Sequence, residues 1–224
     1  MHIEPGIVDG AKMALSYGTA AAAGLYTLKL AVKEIKQYNP ISFAVKALLA
    51  SIAIFICFEI LPHAPAGVSE VHFILGTTVM LFFGAAAAAV GLALGLMLQG
   101  IFFAPSDLPM LMVNVTTLLF PLFAMHEVAR RIIPQDKAYV DLAYQDVLKL
   151  SAIYQGGIVA WVAFWAFYGQ GMTVFSDVSA FAMAYLVVIM VEPIFDLGVL
   201  YVAKTMKNAD KMTMMFTSRL HHPA

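Results

Sequence analysis

Residues 71–104 read VHFILGTTVMLFFGAAAAAVGLALGLMLQGIFFA and contain no Asp, Glu, Lys or Arg. Wound as one α-helix at about 1.5 Å per residue, these 34 positions would reach roughly 51 Å. A bilayer's hydrocarbon core is only about 30 Å thick. The run is therefore expected to break near Gly84 into a short helix and a longer one. Outward from it, further apolar helices are expected over about Gly10–Val32, Ile41–Leu61, Met110–Ala129, Asp146–Tyr168 and Val178–Lys204. Asn39-Pro40, Pro62-His63-Ala64-Pro65 and Pro105–Pro109 punctuate them.

Composition agrees. Of 224 residues, 62% are hydrophobic and 12% charged, with a net charge of -1. A soluble domain carries about 25% charged residues. The balance excludes most soluble enzymes and any nucleic-acid binder that relies on a basic surface. The expected fold is all-α, a polytopic integral membrane bundle in one domain, 1–224. Its basic residues group as Lys29/Lys33/Lys36, Lys46, Arg130/Arg131/Lys137, Lys149 and Lys204/Lys207/Lys211/Arg219. About seven transmembrane helices, with the N-terminus outside and the C-terminus cytoplasmic, put every group on the inner face, as the positive-inside rule prefers. Six helices would separate the Arg130 group from the basic tail at 205–224.

That orientation gathers Met1-His2, His63, Glu70, His72, Asp107 and Asn114 at or near the external face. Met1-His2-Ile3-Glu4-Pro5-Gly6 lacks the basic start and cleavage site of a signal peptide, so the mature chain is expected to begin at Met1. A free X-His terminus is a chelator: α-amine, His2 backbone nitrogen and imidazole close adjoining rings around one ion. Planar nitrogen coordination suits Ni(II) or Cu(II). His72 is the best candidate for a fourth ligand, although a lone His at such a place is more often a polar cap at a helix entrance. Cys57, the sole cysteine, reads as a small buried hydrophobe and excludes an intrachain disulfide or multi-cysteine zinc site.

These residues resemble the CbiM/NikM-type substrate-binding subunits of cobalt and nickel energy-coupling-factor transporters. The likeness rests on the Met-His-Ile start with Gly6, on Ser69-Glu70-Val71-His72, and on the ungapped spacing from His72 to Gly84, Gln99 and Asn114. The last hundred residues match mainly in hydrophobic layout. The resemblance implies metal ligands at Met1, His2 and His72, with Asn114 and Gln99 ordering the site; Glu70 and Asp107 are further candidates for the pocket. It implies nickel or cobalt as the cargo, with no resident cofactor and no covalent chemistry. It implies partners: a transmembrane coupling subunit, cytoplasmic ATPases and a small accessory membrane subunit, in a bacterial cytoplasmic membrane. Ala20 and Gly24 on the first helix would meet the coupling subunit. Two departures stand out. Phe73-Ile74-Leu75 replaces the family's Pro-Thr-Gly after the His, and Ala104-Pro105-Ser106-Asp107 replaces its Ala-His-Gly-Gly loop.

Other residues admit other chemistry. Glu192 and Asp196 lie on one helix face and read as a hydrogen-bonded pair positioning the helix, or as a proton path in a self-sufficient metal permease. A divergent binder of another small solute is the remaining alternative. His126-Glu127 fails as a zinc-protease start because Arg130 stands at the fifth position, and no phosphate-loop motif occurs. Trp161 and Trp165 read as packing residues, Gly91 and Gly95 as a close helix contact, and Glu59 as interfacial. Met206–Met215 and His221-His222 read as tail.

Overall fold

The computed structural model describes residues 2–205 and 214–223. Met1 and most of the Met-rich tail stretch lie outside them. Among these residues seven α-helices carry the fold: α1 Met13–Gln37, α2 Pro40–Phe55, α3 Gly76–Phe83, α4 Ala85–Phe102, α5 Leu111–Ile132, α6 Tyr144–Gln170 and α7 Phe175–Thr205. A hairpin of β1 (Ala64–Ala66) and β2 (Ser69–Val71) sits between α2 and α3. Four helical stretches among the described residues are long and apolar enough to cross a membrane: Pro40–Ile60, Ala85–Phe102, Pro105–Ile132 and Tyr144–Thr205. The last, 62 residues long, holds α6 and α7 joined by the 3-10 turn Gly171–Val174. The protein is an all-α polytopic membrane bundle.

Local sequence explains the element ends. Asn39 opens α2 by accepting the Ile41 N–H at 2.8 Å, with Pro40 at the first helical position, where its missing N–H costs nothing. The break in the long apolar run falls at Gly84, whose φ of +86 favours a residue without Cβ. One expectation fails here. The piece before Gly84 does not form a spanning helix, because α3 has 8 residues and reaches only about 12 Å. Residues 72–75 form no regular helix or strand.

Such a segment needs acceptors for its backbone N–H groups, which water cannot supply inside a bilayer. Helix α7 supplies them. The Glu192 carboxylate accepts the N–H of Leu75 and, at 3.4 Å, that of Ile74. Asp196 Oδ1 accepts both the Thr78 N–H (3.2 Å) and its hydroxyl (2.6 Å). Both acids are buried. The acids thus position α3 as much as their own helix. At its other end, α3 gives the Phe82 carbonyl to the Thr217 N–H at 2.7 Å, so the tail closes what α7 opens.

These bonds sort the chain into two ends. At one lie residues 2–12, the hairpin, Pro105–Met110 and Gln170, tied by Gln170 Nε2 donating to the Gly6 and Ile7 carbonyls and by the bridge of Ile3 to Ser69. At the other, the Glu34–Lys46 ion pair, Gly84 and residues 214–220 meet. Between them α4 closes on α2. A Cβ on Gly91 would fall 2.4 Å from the Ala50 Cβ, and one on Gly95 2.7 Å from Ile54, so this small-residue pair is spent on packing within the chain. Ala20 and Gly24 are not. With Ala89, Ala93 and Val115 they line an open apolar groove of about 350 Å³ between α1, α4 and α5. Trp161 and Trp165 both donate to the Thr116 hydroxyl, at 3.2 and 3.1 Å, and act in packing as expected.

Candidate metal centre

The N-terminal segment folds into the bundle. The Ile3 N–H donates to Asn114 Oδ1 at 2.8 Å, the His2 carbonyl accepts from Ser69 Oγ and the Glu70 N–H (both 2.9 Å), and Ile3 is fully buried. Asn114, on the first turn of α5, therefore fixes the backbone beside His2. Asn114 is expected to help order the site, and this hydrogen bond is the contact it makes there. Five-residue turn Ile56–Ile60, wound as a π-helix, ends α2 and sets the Phe58 ring edge against both imidazoles, 6.2 Å from His2 and 5.5 Å from His72.

His2 and His72 meet in the space so enclosed. Their ring centroids lie 5.3 Å apart, and both residues are buried, 3% and 0% exposed. Each has a carboxylate on one ring nitrogen. His2 Nδ1 donates to Asp107 at 2.5 Å, and His72 Nε2 donates to Glu70 at 2.9 Å. The other two nitrogens, His2 Nε2 and His72 Nδ1, are buried with no hydrogen-bond partner among the described residues. A buried imidazole nitrogen that lacks a donor, on a ring oriented by a carboxylate, is the usual form of a metal-ligating histidine. His2, Glu70 and His72 each offer one ligand atom within 4.8 Å of the others. Two nitrogens bound to one ion at about 2.0 Å each lie at most about 4 Å apart. Side-chain shifts of about 1 Å would close the set.

The electrostatics keep these rings ready. Burial pushes the pKa of His2 below the ordinary imidazole range, so that ring is neutral at pH 7. The hydrogen bond from His72 holds the Glu70 carboxyl below its ordinary range, so it is ionised. A neutral nitrogen pair with a carboxylate is a donor set for a divalent transition metal.

Two further expected residues lie on α4 and in the Pro105–Met110 turn. Gln99 is buried on α4, and its side-chain oxygen has no hydrogen-bond partner among the described residues; Leu96 and Gly100 of the same helix line the small cavity beside His2. Asp107 takes a larger part than a pocket residue, holding His2 directly. Phe58 carried no site signal of its own in sequence, and His63 carried only its expected place at the external face. Phe58 walls the centre, and His63 stacks on His72 at 4.8 Å with the rings 15° apart. Only the turn geometry brings them there.

A polytopic helical membrane protein with a buried His/His/Glu cluster able to hold a metal is the class these features define. The chain belongs to the CbiM family: residues 2–209 match the profile described as cobalt uptake substrate-specific transmembrane region. Two solved structures are similar. A transition metal transporter superposes with a TM-score of 0.71 at 19% identity, covering 95% of this chain and 96% of that one. A truncated transition metal transporter does so with a TM-score of 0.68 at 19% identity, over 92% of this chain and 99% of that one. At that identity the likeness is one of fold. No curated protein matches the chain.

Proposed function

We propose that this protein is the substrate-binding membrane subunit of an ATP-driven energy-coupling-factor uptake transporter, capturing Ni(II) or Co(II) at the external face. The observation that carries the reading is the pair of buried, carboxylate-oriented imidazoles with unpartnered nitrogens beside Glu70. The chain is one transmembrane domain, 1–224, with residues 1–9 as the external metal-binding segment and 205–224 as the cytoplasmic tail. It crosses the bacterial cytoplasmic membrane seven times, the partly extended stretch from His72 to Phe83 counting as one pass. At about 3.3 Å per extended residue and 1.5 Å per helical one, 72–83 covers roughly 25 Å, close to a hydrocarbon core. Transport depends on a transmembrane coupling subunit and cytoplasmic ATPases, with a small accessory membrane subunit. The open groove at Ala20 and Gly24 offers the coupling subunit a surface where helices can approach closely.

The ion is held by the Met1 amine, the His2 backbone nitrogen and imidazole, and His72. This chelate needs His2 Nδ1, the ring nitrogen that can close a six-membered ring with its own backbone nitrogen, so Asp107 must yield that position when metal binds. The unpartnered nitrogens favour a second coordination: His2 Nε2 and His72 Nδ1 bind the ion while Asp107 and Glu70 stay in place. One experiment separates the two. Ni(II) and Co(II) binding is measured on the protein with a native N-terminus and on a version carrying residues ahead of Met1. The chelate predicts a steep loss of affinity on extension; the imidazole pair predicts that extension is tolerated. A native chain that binds neither metal overturns the metal reading.

A further inference from the structure

The acid pair on α7 is joined to the metal centre by a very short path. Glu192 accepts the N–H groups of Ile74 and Leu75, and the nearer of these is two residues from His72. Asp196 takes the Thr78 N–H and hydroxyl one turn further on. Both carboxylates are buried, and they face Tyr154 of α6, Tyr185 of α7 and Cys57 of α2's terminal turn, with no Lys, Arg or His against them among the described residues. The charges they meet are the N–H dipoles that open α3.

The backbone held there is under strain. Leu75 adopts φ +54 and ψ +34, a left-handed conformation that L-residues other than Gly, Asn and Asp rarely take. Something must hold Leu75 in place, and the Glu192 bond lands on its N–H. Tyr154 presses on the next residue: a Cβ on Gly76 would lie 2.2 Å from its ring. The strand-to-helix turn that follows His72 is thus fixed by α7 from one side and by α6 from another.

We propose that Glu192 and Asp196 are positioning residues for the metal centre, orienting His72 through residues 74–78 and tying the external site to α7. The inference rests on the metal reading above. It makes these acids neither ligands nor a proton path. Any tilt or slide of α7 moves the Leu75 N–H, and with it the ring of His72. A cytoplasmic partner that displaced α7 would loosen the grip on the ion without touching it.

The test uses the full chain in detergent, reading Ni(II) affinity by equilibrium dialysis and the ligand-field spectrum of the Co(II)-loaded protein. In Glu192→Gln, an amide N–H2 faces a backbone N–H that needs an acceptor. Affinity is expected to fall about 10- to 100-fold, the range seen for partners that orient ligands, and the Co(II) bands to shift. Glu192→Asp, which keeps the charge, is expected to recover part of the affinity. If Glu192→Gln does not fold, Thr78→Val takes its place, removing one donor to Asp196 while leaving Glu192 intact. Its expected loss is several-fold, with the same spectral shift. A folded variant with wild-type affinity and an unchanged spectrum overturns the inference alone. Wild-type protein that binds neither ion overturns the metal reading and this inference together.

Discussion

The two halves of the 71–104 run share one apolar composition and behave differently. Residues 85–102 form a regular helix that satisfies its own backbone and closes on α2 through Gly91 and Gly95. Residues 71–83 leave a strand, run irregularly to Leu75, and become helical only at Gly76. The regular half is a structural wall. The irregular half carries His72 and must borrow acceptors from α7 and a donor from the tail. Irregular backbone is tolerated inside a membrane only where neighbouring protein satisfies it. Here the satisfied irregularity lies next to the candidate metal centre.

Breaking the regular half is expected to have the largest effect on the fold. Gly91→Leu forces a side chain into the Ala50 backbone and should cost at least about 3 kcal/mol, the upper end for overpacking, read as a collapsed thermal melt in detergent. His72→Ala strikes the other half and should separate binding from folding. Metal affinity is expected to drop more than about 100-fold, which isothermal calorimetry would register, while the protein still purifies as one species. Asp107→Asn weakens the acceptor that orients His2, and about a tenfold loss of affinity is expected if the imidazole pair binds the ion. Under the chelate, where Asp107 yields its place, the same change should leave affinity equal or improved.

Acidity sharpens the comparison further. Because burial holds the His2 pKa below the ordinary imidazole range, protons compete little for that ring as pH falls from 8 to 7. Affinity should stay nearly level over that window if only imidazoles bind. If the Met1 amine takes part, with its reference pKa of about 8, affinity should fall steadily from pH 8 downward. The metal-free protein is expected to lose stability as pH drops below about 6.5, since the unfolded chain then binds a proton that the folded His2 refuses. A melting series across pH checks that sign. The smallest effect is reserved for Leu75→Gly. Relief of the left-handed strain and loss of a leucine side chain should nearly cancel, leaving a change within about 1 kcal/mol.

Much of this was legible in sequence. The membrane class, the break at Gly84 and the pairing of an N-terminal histidine with His72 follow from apolar run lengths and from the Met-His start. Gly91 and Gly95 announced a close helix contact, and the family resemblance put Asn114 near the site. Span length misled at one place: an apolar run says how much chain can lie in lipid, not whether it lies there as helix. Residues 72–75 are apolar enough for either conformation, and acids more than 100 residues away decide between them.

The sequence by itself determined that the chain lives in a bilayer, because about one residue in eight is charged and the long apolar runs cannot be covered otherwise. It also determined which few polar groups were available for chemistry. Tertiary structure alone decided how they pair. His2 meets Asp107 across 105 positions and Asp196 meets Thr78 across 118. Such hydrogen bonds are short-ranged and directional, so no local pattern along the chain encodes them. They exist only once the helices have packed and brought their donors within about 3 Å of an acceptor.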